Sequence, residues 1–411
     1  MNATTDAELS TGEADAFRER SRAFREEHAT GMPFLGPDPR SDQAVAVQQK
    51  FQAARVAAGL AGLTYPEEFG GQGLTKAHER IWREVYGDYP DMTSQLTITH
   101  GMCLPVLNDF GSDEQKARFM AKNISGEEIW CQMFSEPGAG SDVASLQTKA
   151  VRDGDEWIIN GQKVWTTLAH VCDYGILIAR TDADQPKHRG ISMFIVDMNA
   201  PGVEIRPIHQ IDGGMHFNEI FFTDVRIPAG WQVGPLNEGW RLATAMLMYE
   251  RVAIGTGAKS GVTSPTYDLL SSVAKRRGRT DDPVVRQELM KVYSEETAKS
   301  LVSMRTRAEL KAGRAPGPGG SLGKLHGAVI ARMTRSLALE LDGPAGLAWD
   351  GDDETGAKWA QLTLRTFAAN IAGGTDEIQK NIIGDRVLGL PREPSIDKDV
   401  PFSALKVGTQ S

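Results

Sequence analysis

Apolar positions recur with different periods in three successive parts of the chain. From Ala14 to about Asn123 they return every three or four residues, which is typical of amphipathic helices. Between about Ile129 and Gly234 they form short β-type runs separated by turn signals. From Asn237 onward the helical period returns. This order predicts an α+β protein in which a helical region, a sheet and a second helical region follow one another.

The changes of period also predict the limits of the domains. They divide the chain into a disordered tail at 1–12, an α-helical N-terminal domain at 13–126, a middle antiparallel β domain at 127–235, a C-terminal α-helical bundle at 236–391 and a tail at 392–411. Helices after the sheet are expected at about 238–256, 260–276, 283–311, 323–341, 355–371 and 377–389. The strands are too closely spaced for βαβ crossovers, and no GxGxxG motif follows a strand, so a Rossmann sheet is not expected.

Local signals predict where several elements begin and end. Ser112 with Gln115 three residues later predicts a capping box at the start of a helix. Turns between strands are expected at Asp153-Gly154, Asn160-Gly161 and Pro201-Gly202.

Charge and missing motifs narrow the possible functions. The formal net charge of -9 argues against a protein that binds the phosphate backbone of nucleic acid, because such a protein needs a basic face. The three cysteines form no CxxC pair and the eight histidines no H-E-x-x-H pair, so no metal is expected. The polar N-terminus is unlike a secretory or transit signal, and no apolar run approaches the roughly 20 residues that cross a bilayer. These features predict a cytoplasmic protein without membrane contact.

The stretch from Trp130 to Thr167 concentrates residues suited to hold a planar ligand. Its loop Glu136–Asp142 has glycines that allow close backbone approach, and its Ser141 can cap or hydrogen-bond. The same loop is compatible with an ordinary glycine-rich turn. Further on, Trp165 can stack on a planar ring while threonine hydroxyls meet the ring heteroatoms, or the indole can belong to the core.

A second candidate lies where one C-terminal helix ends at Gly373-Gly374 and the next begins. Thr375 or Asp376 is expected to cap the new helix. A fresh helix N-terminus offers free N–H groups to a polar or anionic ligand, although ordinary capping explains the same residues.

Glu250 is a charged residue at an apolar position of a predicted helix. It follows Met246 by four residues and precedes Ala253 by three, so it falls on the apolar stripe. A carboxyl group there is expected to be partly desolvated, with a raised pKa that suits a general base. The alternative is a structural ion pair between Glu250 and an arginine.

These stretches, taken together and in this order, resemble the acyl-CoA dehydrogenase family of flavoenzymes. The resemblance extends from about Phe51 to Pro391. The motif sequences are most similar to those of bacterial, especially actinobacterial, members. Its motifs are TYPEEFGGQG, FGSDEQK, FSEPGAGSD, NGQKVWTT, FFTDVRIP and GGTDEIQKNIIGDRVLG. The resemblance implies a helical domain, a β domain and a helical bundle that bind FAD, assembled as a homo-tetramer or a dimer.

The resemblance also implies a reaction, the α,β-dehydrogenation of an acyl-CoA thioester to the trans-2-enoyl-CoA. A carboxylate removes the α-proton, the β-hydrogen leaves as hydride to the flavin, and the electrons pass to an electron-transferring flavoprotein. Donors aimed at the thioester oxygen stabilise the developing enolate.

Several binding residues carry over by their motif positions. Ser141 is expected near the flavin or the pyrophosphate arm of CoA, and Thr375 and Glu377 at the nucleotide part of FAD. The residues expected to line the flavin are Gln132, Phe134, Ser135, Trp165 and Thr167.

The chain departs from the best-known family members at the catalytic base. Those members carry a carboxylate directly before the Gly-Thr of the C-terminal motif, where this chain has Gly373. The Gly373 N–H can still donate to the thioester oxygen. Isovaleryl-type and long-chain-type members instead place a glutamate before an arginine on the first helix after the sheet. Glu250 and Arg251 match that pattern, so the resemblance assigns the base to Glu250 and a substrate contact to Arg251.

A second departure concerns the FAD pyrophosphate. Many members have Arg-x-x-Phe-Gly where this chain has Arg277 before Gly278, and Arg279 is the expected substitute ligand. Small residues after Glu250, among them Ala253 and Gly257, are expected to leave room for a bulky or branched acyl group.

Three alternatives share the same fold. The chain can be a subunit of a heteromeric acyl-CoA dehydrogenase, as in bacterial sterol side-chain breakdown, where partners share flavin sites. It can be a flavin oxidase or monooxygenase. It can also be a member that protects nucleic acid, which the acidic balance of the sequence disfavours.

Overall fold

The computed structural model describes residues 8–28, 42–87, 93–255, 265–311, 319–344, 354–392, 394, 397 and 399–405. For some of these, Glu250 and Arg251 among them, the backbone alone is described. The chain divides into two compact units. One unit comprises 1–209, 215–250 and 395–411, and the other comprises 210–214 and 251–394. The predicted order of helices, sheet and helices is confirmed.

Helices precede the sheet in the first unit, and the three nearest the N-terminus pack around an aromatic core. The helices before the sheet are α1 (Thr11–His28), α2 (Asp42–Ala57), α3 (Lys76–Tyr86), α4 (Leu104–Phe110) and α5 (Asp113–Ser125). Phe24 and Phe51 meet with ring centroids 5.5 Å apart, and Trp82 joins them. Helix α1 begins inside the tail predicted at 1–12, of which residues 1–7 lie outside the described ranges.

The predicted capping box at the start of α5 is present. The Gln115 N–H donates to Ser112 Oγ, and the Ser112 N–H donates to Gln115 Oε1. The side-chain amide nitrogen of Gln115, Nε2, also donates to the carbonyls of Gly230 and Gln232, at 2.7 and 2.8 Å. One side chain therefore both starts the helix and ties it to the sheet.

The middle of the chain forms an eight-stranded sheet. Its strands are β1 (Trp130–Met133), β2 (Lys149–Asp153), β3 (Glu156–Thr167), β4 (Tyr174–Arg180), β5 (Ile191–Asp197), β6 (Val203–Ile208), β7 (Phe217–Pro228) and β8 (Gln232–Val233). The strand order is β6-β7-β3-β2-β4-β5-β8, with β1 paired to β4. The pairings are antiparallel, except that β1 runs parallel to β4 and β2 meets β4 in parallel at one residue pair. Strands β1 and β8 were not predicted, because such short strands show no clear period.

The turn predicted at Asn160-Gly161 is wrong, because β3 runs through it without interruption. The pairing with β7 instead shifts register between Ile159 and Gly161. The extra residue belongs to β7, where Asp224 has a φ of 48° and exchanges two hydrogen bonds of 2.9 Å with the Asn160 amide group. A Cβ at Gly161 would lie 2.5 Å from Thr148 Oγ1, so the glycine is required for the close approach of β3 to Thr148 beside this β-bulge, and not for a hairpin.

The central strands β4 and β5 are buried on both faces. Alternate residues of β4 enter different cores, Ile176 and Ile178 one of them and Leu177 and Ala179 the other. Successive side chains of a strand point to opposite faces, so both faces of this strand are covered. This explains why the sequence YGILIAR reads as a continuous apolar run.

Helices follow the sheet, as predicted. They are α6 (Gly239–Gly255), α7 (Pro265–Arg276), α8 (Pro283–Lys311), α9 (Gly319–Asp342), α10 (Glu354–Thr366) and α11 (Asp376–Arg386). Helix α6 contributes residues to both units, and α7 to α11 belong to the second, where Leu270, Val285 and Trp359 lie in a common core. Helix α10 ends earlier than expected because a 3-10 turn, Phe367–Asn370, follows it. In the ranges described, every helix is too short or too polar to span a bilayer.

Candidate active site

The predicted flavin wall is built where β1 ends beside β3. Gln132 lies on β1, and Phe134 and Ser135 follow it directly. The Ser135 carbonyl accepts a 2.9 Å hydrogen bond from the Val164 N–H of β3. This bond places the segment after β1 next to the residue that precedes Trp165.

A buried ion pair holds the same place together. Lys163 Nζ lies 2.8 Å from Glu136 Oε1 and donates to the Phe134 carbonyl at 3.0 Å. The Glu136 carboxylate also accepts the N–H groups of Gln147 and Thr148, at 2.6 and 3.0 Å. Burial by itself raises the pKa of Glu136, but the charge of Lys163 and these donors hold it below its usual value. Glu136 is therefore a structural residue of the loop.

Sequence reasoning missed Lys163, although it stands inside the NGQKVWTT motif. Its side chain is fully buried, which is rare for lysine unless it is paired. The available signal was its position two residues before Trp165, on a strand whose other residues alternate inward and outward.

Trp165 is the most exposed member of the wall, at 57%. Strand β3 carries one residue more than β7 between the pairs Lys163–Ile220 and Thr166–Asn218, and Trp165 takes up the difference with a φ of 61°. Such a left-handed conformation costs about 1–3 kcal/mol in a non-glycine residue and is common at functional sites. The indole meets Phe217 edge to face at 5.8 Å and leaves its other surface open. The alternative of a core tryptophan is thus excluded.

Two buried polar atoms, Gln132 Nε2 of this wall and Thr166 Oγ1 of the neighbouring residue on β3, lack a partner among the described residues. A buried donor without a partner costs about 1–3 kcal/mol, so these groups favour a ligand that hydrogen-bonds to them. A planar ring with polar edges, covered by an exposed indole, meets that requirement. Thr167, half-buried at the end of β3, carries a further hydroxyl. The residues present therefore fit the isoalloxazine ring of FAD.

Ser141 is an exposed residue of the Glu136–Asp142 loop. No described atom lies within 4 Å of a Cβ built at Gly138 or Gly140, so the loop leaves space beside its backbone. Asp142, the residue after Ser141, is held by Lys187, whose Nζ lies 3.0 Å from Asp142 Oδ2. Asp142 therefore has a structural role in this loop.

In the second unit, Gly373 and Gly374 form a left-handed turn, with φ of 67° and 86°. Gln379 Nε2 reaches back from α11 and donates to the Gly373 carbonyl at 2.8 Å. These φ values favour glycine, and a Cβ at Gly374 would also lie 2.6 Å from that nitrogen and displace the Gln379 amide. The turn is therefore held in one conformation by α11.

Thr375, one of the two expected caps, is the N-cap of α11 and accepts the Ile378 N–H at 3.2 Å. Asp376 is not the cap. Its buried carboxylate binds Lys324 and Arg332, each at 3.0 Å. Glu377 is exposed in the first turn of α11. It takes neither the capping role of Thr375 nor the ion pairs of Asp376.

Arg279, the expected pyrophosphate ligand, binds Asp282 at 2.7 Å. Both residues lie between α7 and α8, and this pair lowers the pKa of Asp282. Arg277 is bound to the buried Asp342 at 2.9 Å. A phosphate group at Arg279 has to compete with Asp282, so this assignment stays a prediction.

Glu250 and Arg251 lie in helix α6, but their side chains, and that of Ala253, lie outside the described atoms. Gly257 lies outside the described residues altogether. Position 250 follows the fully buried Met246 by four residues and so falls on the same helix face. Within the described ranges, no cluster of His, Cys, Asp or Glu side chains is placed to bind a metal ion.

The fold and this wall together define a protein with a site that fits a planar redox cofactor. Three family profiles match the chain, the N-terminal domain of acyl-CoA dehydrogenase at 11–127, the middle domain at 131–225 and the C-terminal domain at 237–388. The chain belongs to the acyl-CoA dehydrogenase family. It is an oxidoreductase that acts on acyl-CoA, and its family depends on FAD.

Named relatives agree with this assignment. The acyl-CoA dehydrogenase IpdE1 of Mycobacterium tuberculosis is 38% identical over 93% of this chain and 99% of its own length. Among solved structures, the ChsE4-ChsE5 complex from Mycobacterium tuberculosis is 29% identical, with a TM-score of 0.72 over 94% of this chain and 100% of that one. The Tcur3481-Tcur3483 steroid ACAD is 26% identical, also with a TM-score of 0.72, over 94% and 99% of the two chains.

Proposed function

We propose that this protein converts an acyl-CoA to its trans-2-enoyl-CoA, with Glu250 removing the α-proton. One observation carries the assignment of the base: position 250 lies on the helix face of α6 that buries Leu242 and Met246. A carboxylate is rarely placed on an apolar face unless it is paired or has a chemical role. Gly373, at the position of the base in other members, supplies no carboxylate.

The α-proton of a thioester is a weak acid, so its removal needs a base and a stabilised enolate. A carboxylate on an apolar helix face is a matched base, because desolvation strengthens it. The N–H of Gly373 donates to the thioester oxygen, and Gln379 keeps the turn that carries it in one conformation. Arg251 contacts the substrate beside the base.

FAD, when bound, supplies the acceptor for the hydride that leaves the β-carbon. The chain holds it through the Gln132 amide, Ser135 and Thr167 hydroxyls, and the Phe134 and Trp165 rings. Thr375, Glu377 and Arg279 bind its nucleotide part, and Ser141 lies near the ring or the CoA pyrophosphate. The exposed Trp165 indole would stack against the bound ring and keep water from that part of it.

The test of this function is a panel of acyl-CoAs with straight, branched and polycyclic acyl groups, assayed with an artificial electron acceptor. We expect enoyl-CoA formation with at least one of them, and oxygen consumption that stays far below dye reduction. Fast oxygen consumption without the dye, or a lack of product with every substrate, would contradict a dehydrogenase. The natural acceptor proposed here is an electron-transferring flavoprotein, which should replace the dye.

A second candidate is a subunit of a heteromeric acyl-CoA dehydrogenase of the sterol side-chain type. Two solved structures resemble the chain, the ChsE4-ChsE5 complex and the Tcur3481-Tcur3483 steroid ACAD. The name of each contains two different proteins. A homo-oligomer should bind one FAD per chain and be active alone. A heteromeric subunit should bind FAD poorly until a partner is added. Mass measurement in solution, combined with flavin absorbance before and after mixing with homologous chains, separates the two assemblies.

A further inference from the structure

The last described residues of the chain lie across the segment that links β4 and β5. Asp397 and residues 399–405 are here called the C-terminal strap. The Phe402 N–H donates to the Gln185 carbonyl at 2.9 Å, and the Ser403 N–H donates to the Ala183 carbonyl at 2.8 Å. Ser403 Oγ adds a 3.2 Å bond to Asp184. The strap is therefore docked by its backbone at defined positions.

Two cations lie beneath the strap. The buried Phe402 ring covers the Arg180 guanidinium, with Cζ 3.8 Å from the ring centroid. Asp397 binds Lys187 Nζ at 2.6 Å. A stacked aromatic ring and a close carboxylate each restrict the cation they contact.

Both cations also contact the end of the Glu136–Asp142 loop or the residues that follow it. Arg180 Nη2 donates to the Ala144 carbonyl at 2.6 Å, and Lys187 Nζ lies 3.0 Å from Asp142 Oδ2. Arg180 Nη1 also donates to the Lys187 carbonyl at 2.7 Å, which links the two cations. The strap thus reaches the segment 141–145 by two routes.

We propose that the C-terminal strap is a positioning element for the segment 141–145, acting through Arg180 and Lys187. The inference rests on the proposed function, because it takes Ser141 to contact the flavin or CoA. Asp397 and Phe402 contact Lys187 and Arg180, and neither is assigned a role in the chemical step. Loosening the strap should therefore weaken ligand binding and leave the chemical step nearly unchanged.

The test compares Asp397→Asn and Phe402→Ala with Asp399→Asn in the full-length holoenzyme. Asp399 is an exposed strap residue that makes no ion pair with another described residue, so its variant is a matched control. Hydrogen exchange is measured at the amides of Ser145 and Leu146, which donate to Asp142 and Val143 carbonyls at 3.0 and 3.2 Å. We expect about tenfold faster exchange in the two strap variants and wild-type exchange in the control.

The kinetic readout is the Michaelis constant for the acyl-CoA that the wild type oxidises. We expect KM to rise about three- to tenfold in Asp397→Asn and Phe402→Ala, with kcat within about twofold of wild type. Unchanged exchange at both amides overturns the proposal, as does an equal loss of kcat with KM unaltered. If the wild type oxidises no acyl-CoA, the proposed function fails, while the exchange comparison still decides whether the strap positions the segment.

Discussion

Replacing Glu250 by glutamine is expected to lower kcat about a thousandfold while FAD remains bound. The substitution keeps the shape of the side chain and removes the group that accepts the α-proton. General-base catalysis contributes roughly 10²–10⁴-fold to turnover, and no second carboxylate stands at the alternative position, which is Gly373. Single-turnover mixing of the purified variant with acyl-CoA, followed by flavin absorbance, measures the step directly.

Glu238→Gln is the matched control for this substitution. Glu238 precedes α6, is exposed, and pairs with Arg241 at 2.9 Å, so it is remote in role from the predicted base. Its loss should change kcat by less than about twofold, since exposed ion pairs contribute little. Near-normal turnover of Glu250→Gln with full flavin content would show that the base is elsewhere. A Glu250→Gln variant that has lost FAD would instead support the structural ion pair.

Lys163→Met is expected to lower the free energy of unfolding by about 3–5 kcal/mol. The methionine fills similar space but leaves the Glu136 carboxylate buried without its cation and the Phe134 carbonyl without its donor. Because the same residues fix the end of β1 and the ligand loop, FAD retention should fall as well. Urea unfolding followed by tryptophan fluorescence, and flavin content after gel filtration, measure the two effects.

The pH dependence of Lys163→Met provides a second readout. The pKa of Glu136 is lowered in the folded protein, so the unfolded chain binds more protons as the pH falls through the usual glutamate range. Wild type should therefore lose this contribution on acidification, whereas the variant has lost it at neutral pH already. The two stabilities should converge at low pH.

Lys149→Met is the control for Lys163→Met. Lys149 is an exposed residue of β2, and surface substitutions of this kind change stability by about 0.5 kcal/mol or less. The double variant Glu136→Gln/Lys163→Met should recover part of the loss, because no buried charge is left unpaired. Equal stability of Lys163→Met and Lys149→Met would contradict the role given to the pair.

Much of the architecture could be read from periodicity. Helix α3 and the strands β6 and β7 carry clear periods, because one face of each is apolar and the other polar, whereas β4 and β5 were recognised as continuous apolar runs. The secondary-structure predictions are wrong where the pairing of strands outweighs the local preference of a residue pair for a turn. Asn160-Gly161 has the composition of a hairpin turn, but its neighbour on β7 accommodates the irregularity with Asp224, and β3 continues.

The candidate site divides in the same way. The order of the motifs identified Gln132, Trp165 and Thr375 as candidate FAD-binding residues, because a family resemblance is recognised from residue types along the chain. It did not reveal Lys163, whose role depends on contacts with the distant Phe134 and Glu136. The strap was likewise invisible, since Phe402 and Arg180 are far apart in the chain.

The sequence by itself determined the order of helices and strands, the family, and the position of a carboxylate on the apolar face of α6. These depend on side-chain periods and motifs that are local in the chain. Only the tertiary structure decided that Trp165 is exposed at a bulge and that Lys163 is buried with Glu136. The physical reason is that register shifts, buried pairs and strap contacts arise between residues distant in sequence, whose mutual distance no local pattern records.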